Sequence, residues 1–404
     1  MTDILSKSLF IAGMVASAAR STASYYIRGP RCAKWSLLFQ IRRDVMYKAM
    51  SRNLKSSPTD AEIEQIDFGL IARHNTQWDL PASEVPADMG AFRAASIFVA
   101  DIDVDPDVFA GAGPAESGLR LLVARDLEET GREIPYELTA PISMLGDDLE
   151  RVFKCTPIDE NENIILYLHG GGYKYGSPAS HRGVTGRLSG LSGLRCISIH
   201  YRLAPLHPYP AQLYDGFLAF VYLMKQGFKP QNIVLAGDSA GGNLALSLFL
   251  LLRHTGITHS VCGLVLLSPW TDLVSDRPSL ERNAKYDYLT GPPLLSPLAP
   301  ARLFYAPGRK YSQELIDEMS HPLVSPVNGN FKDFPPTLIQ AGDKEVLADD
   351  IAQFYENLLR DNPDRHDRFI YECYTDMIHV FHQFLEQDDT AVAFASAGKF
   401  MKGL

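Results

Sequence analysis

Hydrophobic and polar positions alternate along this chain in two rhythms. Short, mostly apolar runs occur at 164–168, 195–201, 233–236, 262–267, 336–342 and 369–374. Between them lie segments of helix formers, among them 213–225 and 243–250. Runs of this length, rich in Ile, Val and Leu, read as strands covered on both faces. From about residue 119 strands alternate with helices, which predicts a mostly parallel sheet with helices on both faces, an α/β fold. Ligands of such sheets lie beyond the carboxyl ends of the strands. The residues that follow each run are therefore where chemistry is expected.

The first part of the chain has a different pattern. The apolar run 9–19 falls short of the roughly 20 residues needed to cross a bilayer. It has the length of a signal-peptide core, and Ala16-Ser17-Ala18 resembles a cleavage site, but Asp3 offsets Lys7 and the positive leader is missing. Leu5, Leu9, Ala12, Val15/Ala16 and Ala19 share one helical face. A packing or amphipathic helix is thus preferred over a membrane anchor, and secretion comes last. Helical pattern with interspersed aromatics continues from Tyr25 to Met50. Residues 56–118 are rich in Pro, Gly, Asp and Ala, and 56–62 reads as a loop and helix start.

Charge sharpens the division. The net charge is −10, yet residues 1–55 carry ten Lys/Arg against Asp3 and Asp44, a balance of +8 that leaves −18 for the rest. An acidic body argues against nucleic acid as a partner. The basic start favours peripheral contact with an anionic membrane surface, although basic residues scattered over solvated helix faces give the same count. The five cysteines have neither zinc-site nor redox-motif spacing, and Cys196 and Cys262 lie in apolar runs. A reducing intracellular setting, cytoplasmic or membrane-associated, is expected, with no disulfide framework.

Candidate chemistry centres on Gly237-Asp238-Ser239-Ala240-Gly241, which fits G-x-S-x-G between a predicted strand and a predicted helix. That context makes the pattern a nucleophile elbow, with the serine at a strained apex. A serine hydroxyl needs a base to take its proton and a third group to orient that base. After the last predicted strand, His379 and His382 are the candidate bases, and His379 is preferred for its place in the loop. After the preceding strand come Asp343, Glu345, Asp349 and Asp350. Asp343 and Glu345 both remain open as the acid, whereas Asp349 and Asp350 read as solvated helix residues. His169-Gly170-Gly171-Gly172 follows a strand directly, so the amides of Gly171 and Gly172 can approach a substrate oxygen, with Gly170 positioning them. The amide of Ala240 adds a further donor.

The set His169-Gly170-Gly171-Gly172-Tyr173, Tyr201-Arg202-Leu203-Ala204-Pro205, Gly237-Asp238-Ser239-Ala240-Gly241-Gly242-Asn243 and Ser268-Pro269-Trp270-Thr271-Asp272 resembles the hormone-sensitive-lipase group of α/β-hydrolases. That group includes bacterial esterases, arylacetamide deacetylases and fungal steryl-acetyl hydrolases. The resemblance spans about 160 to 385. It implies an α/β-hydrolase fold with a cap over the active site, built from 273–330 and the N-terminus. The expected organisation is an N-terminal extension over 1–118 and a catalytic domain over 119–404. The group's acid motif, D-x-L-x-D, begins nine residues after the proline opening the strand. From Pro336 this reaches Glu345, with Asp343 two residues early. Leu206 departs from the acidic residue often found after Y-R-L-A-P.

The resemblance implies a serine carboxylesterase for a short-acyl ester of a small hydrophobic alcohol, with no metal or organic cofactor. A deacylase acting on an amide or formamide would use the same groups. A small-molecule receptor is the other alternative, since the plant gibberellin receptor shares the scaffold without the histidine.

Overall fold

A computed structural model describes residues 2–50, 82–129, 131–146, 148–258, 260–289 and 299–404, the side chains of 2–10 and 49–50 excepted. The expected loop and helix start at 56–62 lies outside the described residues, as does 290–298 of the expected cap.

Eight strands form one sheet in the order β1-β2-β4-β3-β5-β6-β7-β8. They are β1 (Gly90–Phe98), β2 (Glu133–Pro141), β3 (Ile164–Leu168), β4 (Arg195–Ile199), β5 (Ile233–Asp238), β6 (Gly263–Leu267), β7 (Thr337–Gly342) and β8 (Phe369–Tyr374). The strands from β3 onward pair in parallel, whereas β2 runs antiparallel to both β1 and β4. The sheet therefore begins at residue 90, well before 119, where α/β alternation was expected to start. β1 was overlooked because an edge strand need not be apolar on both faces. Four of its residues, Arg93 to Ala95 and Phe98, are exposed.

The central strands divide their side chains between two cores, as the two-residue period of a strand requires. Ile164, Leu166 and Leu168 face one core, which they share with α3 (Glu116–Glu128), α5 (Ala211–Lys225), α6 (Ala240–His254) and α7 (Ala348–Asp361). Ile165 and Tyr167 face the other, beneath α4 (Arg182–Ser192) and α8 (Asp388–Lys402). All five cysteines are free thiols.

At the N-terminus, α1 (Thr2–Arg28) packs on α2 (Leu37–Met50). The expected buried face of α1 is reversed. Ala12, Val15, Ala16 and Ala19 are exposed, whereas Ser17 and Ser21 turn toward α2. α2 offers polar partners there: the Asp44 carbonyl accepts from Ser17, and Gln40 donates to Ser21. Among the described residues, no helix is long and apolar enough to cross a membrane.

Candidate active site

The parallel strands end at one rim, and each candidate group sits just past a strand end. β5 runs into Ser239, whose φ of 52° and ψ of −119° mark the strained apex expected of an elbow. The sharp turn needs glycine on either side. A Cβ on Gly241 would lie 1.9 Å from the Leu168 carbonyl oxygen, and one on Gly237 would lie 2.4 Å from that of Gly241.

His379 follows β8. Its Nε2 is 2.8 Å from Ser239 Oγ, and its Nδ1 is 3.0 Å from Glu345 Oε2. The two distances and three roles needed for proton transfer and its orientation are thus met in one chain of contacts. Burial alone works against protonating His379. The hydrogen bond that His379 donates to Glu345 and the nearby charges of Glu345, Asp287 and Asp238 outweigh it and hold His379 above its ordinary 6.5. Burial also raises Glu345 above the usual carboxylate range, opposed by its bond to His379. The residual tension favours an ion pair forming when the serine proton moves.

The other candidates lie elsewhere. Asp343 Oδ1 accepts the Asp376 amide at 2.7 Å, and Oδ2 accepts Lys344 Nζ at 2.8 Å. It ties the acid loop to the histidine loop from outside. His382 is buried with Nε2 3.0 Å from Gln340 Oε1, and burial lowers its pKa to about 3. Asp350 is not a solvated helix residue. The segment 275–282 folds over the start of α7, so Asp350 is buried, accepts from Ser275 Oγ at 2.6 Å and pairs with Arg277. Asp349 is paired with Arg282.

The loop after β3 carries His169 to Gly172. Gly171 and Gly172 have φ of 117° and 59°, conformations open to glycine. The amide of Gly170 is committed, donating to Asp238 Oδ1 at 2.8 Å, and this leaves it a positioning part. A Cβ there would meet Asp238 Oδ2 at 2.3 Å. Ala240 is buried at the first position of α6, beside the serine.

Sequence reasoning missed Asp238 as more than a motif filler. Buried between strands, it also accepts from Tyr167 OH at 2.6 Å. Burial alone would raise it, but His181, Tyr167 and the Gly170 amide prevail and hold it at about 2. An anion so fixed links the elbow to the glycine loop. The signal was present, since Asp238 lies inside the central motif. Asn243 is tied similarly, accepting Tyr173 OH at 2.5 Å and donating to the Trp270 and Val324 carbonyls.

Residues 165–383 match the α/β hydrolase fold family. This chain is a member of that family, of the hormone-sensitive-lipase type. Its similarity to an acetyl-hydrolase of Streptomyces hygroscopicus is 34% identity over 269 residues, covering 64% of this chain and 85% of the relative. An esterase of Acinetobacter venetianus is 34% identical over 221 residues, covering 55% and 68% respectively. Among solved structures, the esterase EstE5 superposes with a TM-score of 0.59 at 26% identity over 90% of this chain and 96% of its own. A hormone-sensitive lipase from a metagenome library gives 0.54 at 28% identity, over 67% and 82%.

Proposed function

We propose that this carboxylic ester hydrolase cleaves a short-acyl, acetyl-like ester of a small hydrophobic alcohol through an acyl-enzyme on Ser239. Ser239 Oγ attacks the carbonyl carbon while His379 Nε2 takes its proton. Glu345 holds the imidazole tautomer and stabilises the cation. The amides of Gly171, Gly172 and Ala240 receive the oxyanion, each such donor contributing about 3 kcal/mol to the transition state. The imidazolium then protonates the leaving alcohol, and water, activated by the same base, releases the acid.

The observation that carries this reading is the contact chain Ser239 Oγ to His379 Nε2 at 2.8 Å and His379 Nδ1 to Glu345 at 3.0 Å. The short-acyl part leans on the acetyl-hydrolase relative. The test is stoichiometric organophosphonate labelling followed by turnover across acyl lengths on one chromogenic alcohol. Labelling at Ser239 with a rate falling beyond short chains supports the reading. Tight ligand binding with no labelling would point to a receptor, and preference for matched amides to a deacylase.

For the N-terminus, peripheral contact with an anionic membrane surface is proposed, because Ile11, Val15, Tyr26 and Ile27 of α1 are exposed. Co-sedimentation with phosphatidylserine vesicles, lost in Val15→Asp, checks it.

A further inference from the structure

The histidine side of the site holds a second carboxylate. Asp287 is buried and accepts backbone N–H groups from Val346 at 2.8 Å, Tyr288 at 2.7 Å and Leu289 at 3.4 Å. Val346 is the residue after Glu345, so the Asp287 side chain pins the backbone that carries the acid. Asn283, in the same loop, donates to the carbonyls of Asp343 and Glu345 at 3.0 and 2.8 Å. The Tyr288 ring lies 6.0 Å from the His379 ring, centroid to centroid.

The loop is held in turn from α2. Arg43, 3% exposed, donates Nε to the Tyr286 carbonyl at 2.5 Å and Nη2 to those of Lys285 and Asp287 at 3.0 and 2.5 Å. Its Nη1 bonds Asp44 at 2.7 Å, and Arg31 grips the same carboxylate through both terminal nitrogens. A planar guanidinium can span three successive carbonyls, which a lysine ammonium cannot reproduce.

We propose that Asp287 is a positioning residue of the hydrolytic site: it fixes the Glu345 backbone, adds a second anion behind His379, and is itself held by Arg43. The inference rests on the Ser239–His379–Glu345 reading. When His379 accepts the serine proton, a cation forms in a buried place, and a fixed anion nearby stabilises it without reorganising. The charged and titratable groups around His379 are Glu345, Asp287, Asp238, His382 and Tyr288. Burial keeps His382 and Tyr288 neutral; it also raises Asp287, opposed by His379 and by the backbone N–H groups of Val346, Leu289 and Tyr288, so the carboxylates around His379 are Glu345 and the two aspartates. The Asp287 carboxylate interacts electrostatically with His379, Glu345 and Arg43. Its proximity to Glu345 raises the latter, a repulsion relieved once the imidazole is charged.

The experiment compares kcat, KM and the pH profile of kcat/KM for wild type and Asp287→Asn, which keeps an acceptor oxygen but removes the charge. The acid limb is expected to move down by about one pH unit, with kcat about tenfold lower and KM within about twofold. A limb left in place overturns the proposal, even with lower kcat, since that is the behaviour of a merely structural residue. Should Asp287→Asn not fold, Arg43→Lys decides by the same measurement: a smaller limb shift of the same sign supports the proposal, and an unmoved limb overturns it. Wild-type protein that no serine-directed phosphonate labels would instead overturn the underlying triad reading.

Discussion

The two halves of the site are built by opposite means. The serine side is shaped locally: Gly237, Ser239 and Gly241 create the elbow within five residues, between the strands on either side, and Asp238 and Asn243 of the same stretch tie it to the glycine loop and to Trp270 and Val324. The histidine side is held from afar. Trp35 Nε1 donates to the Asp376 carbonyl at 2.6 Å, Arg42 pairs with Glu386 and reaches the Gln383 carbonyl, and Arg43 grips 285–287. Trp35 and Phe39 also pack with Met377, Ile378, Phe381 and Phe384. A nucleophile locked by backbone strain needs little help. A base on a loop after an edge strand needs a frame, and here α2 and the turn that precedes it supply it.

This contrast can be broken in graded steps. Glu345→Gln should lower kcat by about 10⁴, the loss seen when a triad acid is neutralised, measured by steady-state turnover. Gly170→Ala should cost about 10²–10³ in kcat, because its Cβ would strike Asp238 and displace the amides meant for the oxyanion. Asn283→Ala leaves buried carbonyls of Asp343 and Glu345 unpaired, so denaturant unfolding should show about 1–3 kcal/mol less stability. Asp343→Asn should change kcat less than about tenfold, since its carboxylate bonds the Asp376 amide rather than His379. Equal losses for Glu345→Gln and Asp343→Asn would erase the distinction between acid and buttress.

The same contrast explains what could be read from the chain. The strand runs at 164–168 and 369–374 and the elbow are legible because each depends on neighbouring residues. So is Glu345, through its register from Pro336. Asp287 and Arg43 were not, since an aspartate between two tyrosines carries no local signal and the partners that give it a role, Val346 and Arg43, lie more than 50 residues away. β1 was missed because three adjacent exposed residues interrupt the two-sided apolar pattern. The face of α1 was reversed because its own periodicity cannot reveal that α2 presents Gln40 and Asp44.

The most direct test of the central claim is the pH dependence of Ser239 phosphonylation in wild type and Glu345→Gln. The rate should fall on acidification through one ionisation above 6.5, because His379 is held above that value and must be neutral to act. In Glu345→Gln the ionisation should move to lower pH and the rate should drop. A wild-type rate flat from about pH 5 to 8, or an ionisation unmoved by the substitution, would contradict the account.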